Sequence, residues 1–153
     1  MARRPYSLIR GDTYQPLSSS IIINVAGGDG SAADSAWNAT TDVEVGDFIF
    51  ISGPEEIDRA NSTSRATLPA IAIVVTKPTD TTATIRYANE YTFVGRDPLI
   101  PGALYYVSDT EPGKIFTPSE IETMPPFLQQ VGRAKSEEIL VLMIGAPFSF
   151  QSQ

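Results

Sequence analysis

Four carboxylates crowd into one short stretch of this chain, Asp47, Glu55, Glu56 and Asp58. Two carboxyl groups facing one cleft are the equipment of glycoside hydrolysis, one protonating the leaving oxygen and the other acting as nucleophile or base. Spacing alone does not place any two of them on one cleft, and solvated surface charge is the plainer reading. Asp29, Ser31 and Asp34 lie in and just after a Gly-rich stretch and could offer oxygens to a hard cation. A calcium loop brings more carboxylates than these two, so a polar turn accounts for them and no metal site is expected. Gly27-Gly28-Asp29-Gly30 lacks the Lys-Ser/Thr and the strand–loop–helix setting of a phosphate loop.

Arg10-Gly11-Asp12 matches the adhesion tripeptide, without a sign that it sits on a constrained loop tip. Asn38-Ala39-Thr40 and Asn61-Ser62-Thr63 fit the N-glycosylation pattern, which marks both segments as expected surface. Cysteine and histidine are absent from the chain. Thiolate nucleophiles, disulfides, Cys/His metal sites and His-based proton transfer are therefore excluded. The expectation is a protein without catalytic residues, cofactor or metal.

The 153 residues are enough for one domain with its own core, and 42% of them are hydrophobic. Twelve prolines and 11 glycines imply frequent turns and argue against a helical bundle. The net charge is −7, which disfavours nucleic-acid binding by the body of the domain. Residues 1–10 hold Arg3, Arg4 and Arg10 and no acid, so they carry +3 and the remainder carries −10. A basic arm of residues 1–20 ahead of an acidic body, residues 21–153, suggests an arm that docks on an acidic surface. The basic start is not followed by an apolar stretch of signal-peptide length, and no apolar run approaches the roughly 18 residues of a membrane span.

The elements that would position these residues read as β-strands. Residues 21–26 are β-branched, and residues 27–31 are a Gly-rich loop. Residues 32–41 form a helical turn or continue that loop. Val43-Glu44-Val45-Gly46-Asp47 is a turn delivering the chain into a buried strand, 48–52, and residues 53–67 read as a long surface loop. An apolar strand covers 68–76, with Pro69 where a missing N–H is tolerated. Lys77-Pro78-Thr79-Asp80 is turn chemistry, and 82–88 alternates as the hairpin partner. Short strands follow at 90–94, 103–108, 114–117, 129–134 and 139–144, with one helical turn at 119–123 capped by Ser119. About eight or nine short strands with close-set turns define an all-β sandwich or barrel.

Aromatic residues are the best candidates for contact with a partner. Tyr105 and Tyr106 point to opposite faces of one strand, so one enters the core and the other faces outward. Tyr87, Tyr91 and Phe93 join them in an aromatic cluster. Trp37 lies in polar sequence, where it either fills a partner's pocket or covers the end of its own core. Phe148 and Phe150 follow the last strand and are expected to pack on a sheet or on a neighbouring subunit.

The sequence "VGDFIFIS" (45–52), then "IPGALYYVSDTEPGKIFT" (100–117), then "QQVGRA" (129–134) and a terminal apolar strand resembles the small β-rich head decoration, or cement, proteins of tailed bacteriophages. The resemblance covers about residues 43–145, and modules of this pattern also occur in head and tail fibres. It implies a structural virion protein on the capsid exterior, assembled in the host cytoplasm. Its partner would be the major capsid protein, and it would act as a homotrimer clamping neighbouring capsid subunits. Arg3, Arg4, Arg10, Trp37, Tyr105, Tyr106, Phe148 and Phe150 would then meet the capsid or a neighbouring copy. A tail or head fibre module that binds a host glycan or receptor is the alternative.

Overall fold

The structure is a computed structural model, and it describes residues 34–120 and 123–149. The chain separates into two units at Asp34–Ser35, and the described residues belong almost entirely to the second. The expected arm boundary at residue 20 and the expected strand at 21–26 lie outside the described residues.

The fold is all-β, with twelve strands among the described residues. Five of them, β1 (Asp34–Ala39), β2 (Phe48–Gly53), β3 (Glu56–Arg59), β4 (Ala72–Thr79) and β5 (Thr82–Arg86), close a barrel in the order β1-β3-β2-β4-β5. Within it β1 runs parallel to β3, and the β2–β3, β2–β4 and β4–β5 pairs are antiparallel. A five-stranded antiparallel sheet follows, built from β6 (Glu90–Thr92), β7 (Leu104–Val107), β8 (Ile115–Phe116), β10 (Gln130–Ala134) and β11 (Ile139–Leu142). Its order is β6-β11-β10-β7-β8. The last two, β9 (Phe127–Leu128) and β12 (Phe148–Ser149), pair as a two-stranded ribbon.

The apolar runs form strands close to where the sequence places them, except that the strand expected at 68–76 begins only at Ala72 and leaves Pro69 in the preceding loop; the 4–5 hairpin pairs as expected, Val74 facing Ile85. Four strands arise where none was expected. β1 occupies a stretch read as loop or helical turn, and β3 interrupts the supposed loop 53–67. Both are polar, and both are held by pairing: β1 and β3 with each other across 18 residues of chain, Asn38 opposite Glu56, and β3 also with β2 in a tight hairpin, Ile51 opposite Ile57. β9 and β12 are two-residue pieces. The supposed turn at Lys77-Pro78 is instead the end of β4, where register shifts between Thr76 and Thr79 accommodate the proline. Lys77 there donates from Nζ to the carbonyls of Thr40 and Thr41, tying the β1–β2 connection to β4. The expected helical turn is a single 3-10 turn at Pro118–Glu120.

Alternation along β2 and β4 divides the apolar residues between two cores. Ile49, Ala72 and Val74 pack inside the barrel with Ile57 and Ile85. Phe48 and Ile73 face the other way and join Tyr105, Val107, Val131 and Leu140 of the five-stranded sheet. Between these layers the side chain of Gln129, fully buried, acts as a substitute peptide unit. Its Oε1 accepts from Ala70 N at 2.8 Å, while Nε2 donates to Ala70 O and to Gly145 O, both at 2.8 Å. Gly132 has no room for a side chain, because a Cβ there would sit 2.5 Å from the Val141 carbonyl oxygen.

Gln129→Leu keeps the volume and strips partners from three backbone groups. Leaving such groups unsatisfied costs about 1–3 kcal/mol each when buried, so a total loss of about 3 kcal/mol is expected. Urea unfolding checks this as a lower midpoint with an unchanged slope.

Candidate interaction surface

Asp47 closes the turn that enters β2. Gly46 takes φ 93°, a left-handed conformation that glycine adopts without strain, and the Asp47 side chain folds back so that Oδ2 accepts from Glu44 N at 2.9 Å. Only 1% of Asp47 is exposed. Its Oδ1 accepts from Lys114 Nζ at 2.8 Å, and Glu44 Oε1 stands 3.8 Å from the same ammonium. The backbone repeats the connection. Phe48 N donates to Gly113 O, and Gly113 N to Ala60 O, both at 2.8 Å. A Cβ on Gly113 would lie 2.6 Å from Asp47 Cγ, and its φ of 83° favours glycine as well. The β7–β8 turn is thus bolted across the barrel.

The carboxylates considered for hydrolysis are spread over these jobs rather than paired. Asp47 braces the turn, and Asp58 accepts from Thr40 Oγ1 and Arg59 N. Glu55 sits at φ 56° in the exposed β2–β3 turn, and Glu56 is exposed beside it. Among the described residues no group of three or more acidic side chains is placed to hold a metal. Asn38 is exposed as expected, but Asn61 is buried, its Oδ1 accepting from Thr63 N at 2.8 Å. The polar sequence around Asn61 folds inward to satisfy its own backbone, which corrects its assignment to the surface.

Of the eight expected contact residues, Arg3, Arg4, Arg10 and Phe150 lie outside the described residues. Tyr105 is the core member of its pair, 2% exposed, with its hydroxyl accepting from Ile100 N at 2.9 Å. It is not available to a partner, and that assignment is corrected. Tyr106 points to the opposite face, where it is half-buried and tilted against Phe116 at 6.3 Å. Trp37 is half-buried against the barrel core, and its indole N–H donates to Ser35 Oγ at 2.8 Å. Phe148, 57% exposed on the β9–β12 ribbon, is the described member that stands furthest into solvent.

The structure adds two residues that the sequence reading passed over. Val94 is 91% exposed and Val45 50% exposed, each just before a glycine of positive φ, Gly95 and Gly46. Both turns are braced by contacts with the body of the domain. Phe93 packs edge-on against Tyr91 at 4.8 Å, and the Arg96 guanidinium lies 5.1 Å over the Phe93 ring. Phe93 N also donates to Glu138 O at 2.8 Å. The two valines line one open trough of about 580 Å³, rimmed by Glu44, Asp97, Glu111 and Glu120. An adjoining hollow of about 400 Å³ continues it past Ser108, Thr110, Phe116 and Thr123.

Beside Gly46, the Tyr91 phenol is pushed up from its ordinary value of 10.0 by burial; Arg86 opposes this and Asp47 adds to it. Comparison with known proteins brings no match, neither a family model, nor a curated protein, nor a solved structure. Among the described residues no helix is long and apolar enough to cross a membrane.

Gly113→Ala is expected to cost about 2–4 kcal/mol, from a displaced carboxylate and a strained φ. Thermal unfolding reads this directly. A second expectation concerns pH. Folding favours the neutral Tyr91 phenol, so its contribution is full below the unfolded value and is lost as pH rises through the higher folded value. The melting temperature of the wild type should therefore fall more steeply above about pH 10 than that of Tyr91→Phe. Equal slopes would remove Tyr91 from this role.

Proposed function

We propose that this chain is a structural virion protein that binds the outside of an expanded phage capsid and stabilises contacts between capsid subunits. One observation carries the reading. The segments that resemble head decoration proteins are the ones that lock the fold together. "VGDF" supplies Asp47 and Phe48, "EPGK" supplies Gly113 and Lys114, and "QQVG" supplies Gln129 and Gly132. Their work is mechanical. A capsid clamp must transmit load without changing shape, and a body braced by an ion pair on a buried carboxylate and by a buried amide suits that task. Many copies on a symmetric lattice would add up individually weak contacts.

Phe148, 57% exposed on the ribbon, supports the same reading as a contact residue, because aromatic side chains are enriched at interfaces. Tyr106 and the arginines of residues 1–10 remain candidates for the capsid or for neighbouring copies.

Co-sedimentation with purified expanded phage capsids tests the proposal. Saturation at a fixed number of copies per capsid is expected, with little binding to unexpanded shells. Phe148→Ser should weaken binding about tenfold while leaving the melting temperature within a degree or two, as a surface substitution does. Failure to bind capsids together with retention on host-cell glycans would replace this reading with the fibre module.

A further inference from the structure

Val94 and Val45 hold apolar surface in water on two braced turns, and between them lies a trough whose rim is acidic. The cations there are already engaged. Lys114 is held by Asp47 and Glu44, and Arg96 stacks on Phe93. Asp97 and Glu111 are exposed on the rim. The trough therefore fits a segment that combines positive charge with apolar side chains. This chain contains one. Residues 3–10, Arg-Arg-Pro-Tyr-Ser-Leu-Ile-Arg, carry three positive charges, no negative charge, and Tyr6, Leu8 and Ile9 between them.

We propose that the trough receives residues 3–10 of a second copy of this chain. The guanidinium groups of the arriving segment meet the rim carboxylates in charge-assisted pairs, and its apolar side chains cover the two valines. Arginine suits this role because its planar fork matches a carboxylate and its charge does not titrate. The rim charges are solvent-exposed, so association is weakened by salt. The inference goes beyond the capsid reading and does not depend on it, since the association is between copies and is measured with no capsid present.

The test uses the full chain and light scattering over a range of concentrations, at low salt and at about 0.5 M salt, where screening is short-ranged. One variant carries Arg3→Glu, Arg4→Glu and Arg10→Glu. The other carries Asp97→Lys and Glu111→Lys, both at exposed side chains outside the Asp47 brace. The wild type is expected to self-associate at low salt and to dissociate at high salt. Each variant alone should associate at least tenfold more weakly, with an unchanged circular dichroism melt. Their equimolar mixture should associate again, because it pairs each arm with a trough of opposite charge. A wild type that stays monomeric at every concentration would overturn the proposal. So would association untouched by either set of reversals, or a mixture no stronger than its components.

Discussion

The buried carboxylate of Asp47 is the constraint on which the arrangement depends. A charge withdrawn from water must find donors, and here it finds a backbone N–H three residues back and an ammonium 67 residues away. Satisfying both requires the β7–β8 turn to lie across the start of β2. That close approach in turn requires glycine at 113. Once the turn is there, Phe48 and Ala60 complete the contact through their backbones, and the segment 111–120 becomes one wall of the acidic trough. Local turn geometry, the joining of barrel to sheet, and the shape of the surface all trace to one side chain.

Gln129 plays the complementary part at another point of contact. The chain around Ala70 belongs to no strand of the barrel or of the five-stranded sheet. A side-chain amide has the donor and acceptor of a peptide group, so it completes the pairing there without requiring another strand. With it, two cores share β2 and β4 as a common wall.

Much of this was readable in advance, and what was not has physical causes. β2, β4, β7 and β11 are short runs of apolar, β-branched or aromatic residues and β5 alternates, and both patterns are local signals. β3, Glu-Ile-Asp-Arg, has a single apolar residue, and β1 has Trp37 and two alanines among polar neighbours, so only their partners make them strands. Alternation shows that Tyr105 and Tyr106 face opposite ways, but which is inside depends on what the sheet packs against. Asp47 looked like one acid among four, because its partner lies far along the chain. The exposed valines had a signal, Val followed by Gly at 45–46 and 94–95. The same dipeptide at 131–132 sits mid-strand, fully buried, so the signal is ambiguous without the fold.

Barrel closure has a consequence for crowding. A sheet that ends in open strands offers unpaired backbone to any neighbour, and proteins held at high local density risk pairing edge to edge. Closing β1 through β5 on themselves leaves no such edge there. The five-stranded sheet ends at β6, three residues long with Glu90 ion-paired to Lys135, and at β8, two residues long, and the β9–β12 ribbon has two residues in each strand. Edges this short, one of them charged, give an invading strand almost nothing to copy. Copies of this domain could stand shoulder to shoulder and still remain separate folded units.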